Sequence, residues 1–375
     1  MSETFLILGG YGNTGSLVAE LLLQETDLQL IIAGRNLEKA AIFAGNLNKK
    51  FSCDRVSALK VDAGDRESLK QAFAKVNFVI VASSTAEYVE NIVTTALAAK
   101  IDYLDFQLSA DKITLLKSWR SQIEESGCCL ITEGGFHPGL PAALVRFAAA
   151  EFDQIETANL ASIIKFNWQK VDLSPSTVDE IVGEIDKAQP TYFQNGQWLN
   201  SYSGTKSFDF GLNFGEQTCY PMFLEEIKTL PEFFPSLKET GFFVGGFNWF
   251  VDSIVFPLGY IALKTIGKNA IKPIGKLLNW GLKTFTKPPY GTVLLLEARG
   301  WKEGKQQRMR LQLYHPDGYY LTAVPSVACL LQYLDGVIKK PGLWLQANLV
   351  EPKRFIGDIE RLGVTVEISR KFEEN

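Results

Sequence analysis

Histidine is nearly absent from this sequence: His137 and His315 are the only two in 375 residues, and neither belongs to an HxxxH pair. That, and the lack of a carboxylate cluster, argues against a metal centre, and no Ser-His-Asp arrangement stands out either. Cysteine is also sparse. Cys53, Cys128, Cys129, Cys219 and Cys329 are odd in number and show no CxxC spacing. They read as reduced thiols, with Cys128 and Cys129 as small core residues of an apolar strand. Basic excess is missing, since the net charge is −4, so nothing global points to nucleic acid as a partner. The start, Met1-Ser2-Glu3-Thr4, has no basic n-region, which makes the cytoplasm the expected compartment. No repeats or low-complexity segments appear. The length suggests roughly two domains.

What the sequence does have is glycine in one telling place. Phe5-Leu6-Ile7-Leu8 reads as a buried parallel strand, and it runs into Gly10-x-Gly12-x-x-Gly15. Leu17, Val18, Leu21 and Leu22 then share one helical face. In this context Gly10 permits the tight turn, Gly12 lets backbone approach a pyrophosphate, and Gly15 lets the helix pack on the strand. The free N–H groups at Asn13, Thr14 and Gly15 lie at the positive end of that helix and face the phosphates. NAD enzymes place a carboxylate about 20 residues on, at the end of the second strand, to hold the ribose 2′-OH. Here that strand ends Ala33-Gly34-Arg35-Asn36, with no acid. Gly34 leaves room, and Arg35 offers a planar fork suited to a phosphate, so NADP is favoured over NAD.

Strand and helix patterns alternate to about residue 135. Further strands are expected over 56–62, 76–82, 103–106 and 128–132, with helices over 37–50, 66–75, 88–100 and 111–126. Six parallel strands with right-handed crossovers make a doubly wound sheet, and ligands bind outside the carboxyl ends of its strands. That rule singles out Ser83, Ser84, Gln107 and the 134–140 loop, including Gly135. Asp62 ends the third strand, where it can cap an adenine pocket or simply form a turn.

The loop Glu133-Gly134-Gly135-Phe136-His137-Pro138-Gly139-Leu140-Pro141 follows the sixth strand. Together with the Gly10-Gly12-Gly15 turn it resembles the saccharopine dehydrogenase-like oxidoreductases. Tyr88-Val89-Glu90-Asn91-Ile92-Val93, Asp102-Tyr103-Leu104-Asp105 and the ending Pro341-Gly342-Leu343-Trp344-Leu345-Gln346-Ala347-Asn348 are similar to segments of such chains. The resemblance covers about 4–145 well and 290–370 more loosely. It implies a Rossmann domain with NAD(P)-dependent hydride transfer at an imine or secondary amine carbon, and in some branches action on lipid or alkene substrates. His137, in the loop at the sheet's carboxyl edge, is the candidate for proton transfer or for contact with a substrate carboxylate. The competing reading is that the loop matters through Gly135, Pro138 and Gly139 while His137 is a solvated passenger.

The expected class is therefore α/β, with a Rossmann NADP-binding domain over 1–145 and an α+β substrate or dimerisation domain over 146–375. Its C-terminal segment can pack back on the first domain. In the second domain, 155–163 reads as a strand, Asn195-Gly196 as a hairpin turn, and 292–298 with 309–314 as an antiparallel pair. One stretch departs from an ordinary reductase: 241–263 holds a single charge, Asp252, and Lys264, Lys268, Lys272 and Lys276 follow at intervals of four, then Lys283 and Lys287. Asp252 near its centre, at a cost of about 2.5–3.5 kcal/mol, and the breakers Gly245, Gly246, Pro257 and Gly259 argue against spanning. A lysine stripe opposing Ile, Leu and Trp fits a helix lying on an anionic membrane surface, and Phe242, Phe243, Phe247, Trp249 and Phe250 would insert with it. A substrate lid or a homodimer contact accounts for the same residues. Three functional readings stay open: an oxidoreductase for a small-molecule substrate, a membrane-peripheral enzyme for an apolar one, and a nucleotide-binding protein without catalysis.

Overall fold

Apolar runs with no polar face become the central strands, because a parallel strand is covered on both sides. The computed structural model describes residues 3–170, 173, 175–183, 185, 189–211 and 213–373. In it β1 (Thr4–Leu8), β2 (Gln29–Gly34), β3 (Val56–Lys60), β4 (Phe78–Val81), β5 (Asp102–Asp105) and β6 (Cys129–Thr132) pair in parallel. They alternate with α1 (Asn13–Glu25), α2 (Leu37–Phe51), α3 (Arg66–Phe73), α4 (Val89–Ala99), α5 (Ala110–Ser118) and α6 (Arg120–Ser126). The one helix expected over 111–126 is two, broken at Trp119. The sheet also has a seventh strand: Gly342–Leu345 pairs in parallel with β6. Residues 319–362 belong with 1–143 to one compact unit. Tyr333 from that returning segment packs edge-on against Phe78, ring centroids 4.9 Å apart, and donates its hydroxyl to Asp102. All five cysteines are free, and all but Cys53 are buried.

The second unit, 144–318 with 363–375, is built on a mixed sheet. Its spine is β7 (Gln154–Lys165), which pairs antiparallel with Gly291–Lys302 and in parallel with Glu239–Gly245. The next strands in the chain are β8 (Thr191–Gln194), β9 (Gln197–Asn200), β10 (Lys206–Asp209), β11 (Glu216–Met222), β12 (Glu239–Gly245), β13 (Gly291–Lys302) and β14 (Lys305–His315). The hairpin at Asn195-Gly196 forms as expected, both residues having positive φ, and β13 pairs with β14 from Thr292↔His315 onward. A layer of helices includes α7 (Pro175–Gly183), α8 (Phe256–Ile266) and α9 (Ile271–Phe285).

The 241–287 stretch is where expectation and structure part. Its first residues, 241–245, are strand: Phe242 and Phe243 lie in β12, fully buried between β7 and β11, so they cannot enter a membrane. The apolar side of α9 is covered as well. Ile274, Leu278 and Leu282 pack with Val182, Val251, Val255 and Leu263 in one core cluster. Gly259 and Gly275 allow this close packing, since a Cβ on Gly275 would stand 2.8 Å from Val178. Among the described residues no helix is long and apolar enough to cross a membrane.

Candidate functional site

The Gly-rich turn after β1 is held by its own backbone. Gly9 N–H donates to Ala33 O across to β2, Gly10 N–H to Ile7 O, and Gly12 N–H to Gly9 O. A Cβ on Gly15 would sit 2.4 Å from Gly9 O, and one on Gly10 would sit 2.9 Å from Ile7 O. These two glycines thus let helix and turn close on each other. Gly12 is less crowded: its Cβ would meet one atom, Gly9 O at 3.2 Å, and the residue is half-buried. Gly9, which sequence reasoning passed over, is the point where the turn meets the next strand: with φ of 83°, its Cβ would be 2.8 Å from Ala82 O and from Ser83. No side chain caps α1. No side chain therefore takes its first N–H groups, at Asn13, Thr14 and Gly15, the groups that a helix start leaves without intrahelical partners; Asn13 is exposed, Thr14 half-buried and Gly15 buried.

Along the same edge, Arg35 is exposed directly after β2. The room at Gly34 is not empty: the Tyr11 ring lies over it, 2.6 Å from where a Cβ would be, and the Tyr11 hydroxyl accepts the Asn36 N–H at 3.2 Å. Gly34 is thus required by Tyr11 in the chain itself. Asp62 Oδ1 accepts the Gly64 N–H at 2.9 Å, which is the turn-forming role. Tyr88 completes this corner. Its phenol is raised, first by the hydrogen bond and charge of Glu87 and further by Asp62, while Arg35 acts in the lowering direction, so the three groups share one field. Ser83 and Ser84 follow β4; the Ser83 carbonyl accepts from Gln107 Nε2 at 2.8 Å, and Ser84 is exposed.

Past β5 the edge is tied by buried charge. The Asp105 carboxylate accepts Tyr103 Oη at 2.8 Å, Thr132 Oγ1 at 2.7 Å, the Gln107 N–H at 2.9 Å and the Lys112 ammonium. Both members of the ion pair are fully buried. Lys112 also donates to Gln107 O, and burial together with Asp105 raises the Tyr103 phenol so that it remains a donor. Every lone pair of this hub is directed at a donor, the condition for a buried charge to be tolerated. The 133–140 loop is clamped beside it. Gly134 N–H donates to Asp105 O at 2.7 Å, and Gln346 Nε2 donates to Gly139 O at 3.1 Å. Side chains are excluded: a Cβ on Gly139 would lie 2.6 Å from Glu133 O, and one on Gly135 would lie 3.0 Å from Thr322. The His137 ring is tilted by 56° against that of Phe136, centroids 4.3 Å apart, with both ring nitrogens buried. Burial pushes its imidazole down to about 4, so it is neutral at pH 7. The solvated-passenger reading of His137 therefore fails. Lys112 had no motif to announce it, while Asp105 and Gln346 lie in segments that carry the resemblance but had no role assigned there; Asp105 also stands at a strand's carboxyl end, where the topological rule directs attention.

The second unit has a cavity of its own, about 490 Å³, beyond the end of β7. Lys165 and Asp252 line it, with Thr218, Tyr220, Trp249 and Lys287. Asp252 Oδ1 accepts the Phe247 N–H at 3.0 Å, and burial lifts its carboxyl to about 6 against that bond. Burial lowers Lys165, which Asp252 partly offsets.

The profile of the saccharopine dehydrogenase NADP binding domain matches residues 5–126, which include the glycine turn, Arg35, Asp105 and Lys112. No curated protein matches the chain in sequence. Among solved structures, apo saccharopine dehydrogenase (L-Glu forming) from Saccharomyces cerevisiae is similar over 99% of this chain and 100% of its own, with TM-score 0.68 and 14% identity. A meso-dapdh mutant from Clostridium tetani E88, with DAP, aligns over 94% of this chain and 96% of its own, with TM-score 0.46 and 12% identity. At 14% identity the likeness to the yeast enzyme is one of fold.

Proposed function

We propose that this chain is an NAD(P)-dependent oxidoreductase of the saccharopine dehydrogenase-like kind and works on a small molecule at an imine or secondary amine carbon. The observation that carries the reading is the start of α1, uncapped by any side chain and following the glycine turn, with exposed Arg35 at the end of the neighbouring strand. These residues fit NADP. The Gly9–Gly15 turn would receive the pyrophosphate, and Arg35 the 2′-phosphate, with Asp62 and Tyr88 beside it. Ser83, Ser84 and Gly135 would border the cofactor further along the edge. When bound, the reduced cofactor supplies hydride to the substrate carbon while the imine nitrogen takes a proton from solvent or a side chain. The clamped loop fixes Gly135 and His137 against that end through Gln346 and Asp105. With its imidazole neutral, His137 serves there as a hydrogen-bonding group and contributes no fixed positive charge.

The test is direct titration of the purified chain with NADPH and NADH, followed by NADPH consumption with keto acid and amine mixtures. Saturable NADPH binding, tighter than NADH, and turnover with one such mixture is the expected outcome. Binding without turnover on any carbon–nitrogen substrate would leave a nucleotide-binding protein; failure to bind NADPH would remove the cofactor assignment itself.

A further inference from the structure

The helical layer of the second unit has satisfied its inner face and still presents apolar side chains outward. Val255, Gly259 and Leu263 are buried against α9, yet Ile254, Leu258 and Ile261, on the opposite side, are 41%, 46% and 59% exposed. Ile266 closes the row at 56%. Single exposed hydrophobics need no explanation, but seven of the 17 large ones exposed among the described residues fall within 249–280. Two of them are tryptophans standing on a packed aromatic base. Trp249 meets Phe285 at 5.1 Å and Trp280 meets Phe250 at 5.2 Å, while Phe250 and Phe285 stack at 4.8 Å. Indoles held out in this way favour a boundary that is apolar on one side and wet on the other.

Charge identifies the occupant. From 253 to 296 there are six lysines and no Asp or Glu, on a chain whose net charge is −4. Lys272 and Lys276 share an exposed stripe of α9 with Trp280, and Lys264 leans over Tyr260, 5.6 Å from the ring centroid. A second copy meeting this face through its own would set lysine against lysine, whereas anionic lipid complements it. We propose that α8 and α9 dock the protein on the surface of an anionic bilayer, with Ile254, Leu258, Ile261 and the two indoles in the interface and the lysines on headgroups. The helices lie on the membrane and do not cross it. Phe242, Phe243 and the inner face of α9 stay in the protein core.

Flotation of the full chain with phosphatidylcholine vesicles, with and without phosphatidylglycerol, tests the assignment. The protein should float with the anionic vesicles and be partly released by salt, because each lysine near the surface multiplies partitioning roughly five-fold in a salt-sensitive way. Leu258→Glu with Ile261→Glu should reduce flotation on the order of a hundred-fold, and Lys272→Glu with Lys276→Glu at least about twenty-fold. Both variants should retain the parent's NADPH binding, which reports an intact first unit, and its melting temperature. A wild-type chain that stays in the soluble fraction with both vesicles overturns the proposal. So does undiminished flotation of the Leu258/Ile261 variant, or a dimer in light scattering that the same variant dissolves.

Discussion

Two parts of this molecule break the usual rule of apolar inside and charged outside, and they break it in opposite directions. At the carboxyl edge of the first unit, Asp105 and Lys112 are buried with every polar atom answered. On the helical face of the second unit, Ile254, Leu258 and Ile261 are exposed beside lysines. The buried pair is bonded to three successive segments, so it acts on position: the 105–107 turn, α5 and the 133–140 loop cannot shift separately. The exposed set is bonded to little and acts on association. A departure from the rule that is fully satisfied organises its surroundings; one left open to solvent calls for a partner.

Breaking the buried pair should give the largest effect. Lys112→Met leaves the Asp105 charge uncompensated and should cost about 3–5 kcal/mol in urea unfolding, while Asp105→Asn added to it should recover much of the loss. If the single variant proves as stable as the parent, the hub is not what holds the edge. Next comes the turn: Gly15→Ala forces a methyl against Gly9 O and should cost about 1–3 kcal/mol, together with NADPH binding. Arg35→Ala acts on the cofactor alone. It should weaken NADPH by about 1–3 kcal/mol and leave NADH nearly unchanged; equal losses in a titration would refute the 2′-phosphate role.

pH sharpens the contrast between the units. His137 is held down to about 4 against an ordinary 6.5, so the unfolded chain takes up a proton that the folded one refuses. Its contribution is full above pH 6.5 and is lost as pH falls to about 4; His137→Gln should flatten that limb of a stability profile. Asp252 runs the other way. Raised from 3.8 to about 6, it favours the folded state fully below pH 4 and loses that contribution as pH rises through 6, which Asp252→Asn should remove. Parallel slopes from the two variants would contradict the burial of one of them. The smallest effect belongs to the exposed face: Leu258→Glu should change unfolding stability by no more than about 0.5 kcal/mol, since its partner lies outside the folded chain. A large loss would mean that the side chain is a structural contact.

Local pattern by itself determined the alternating strands and helices of the first 135 residues, the glycine turn, the missing carboxylate after β2, and the hairpin at Asn195-Gly196. Each depends on residues a few positions apart, where backbone geometry and periodicity decide. Tertiary structure alone decided the rest. Gln346 clamps Gly139 from 207 residues away, and Gly342–Leu345 adds the seventh strand beside β6. Lys112 reads in sequence as an ordinary helix lysine until α5 turns it onto Asp105. In 241–287 the apolar and basic composition was visible, but which face is covered was not. Gly241 and its neighbours became a buried strand, and Ile274, Leu278 and Leu282 found a core, while the side of α8 that points away stayed bare. Periodicity tells that a face is apolar; only the packed chain decides what covers it, because burial is a property of the neighbours and not of the residue.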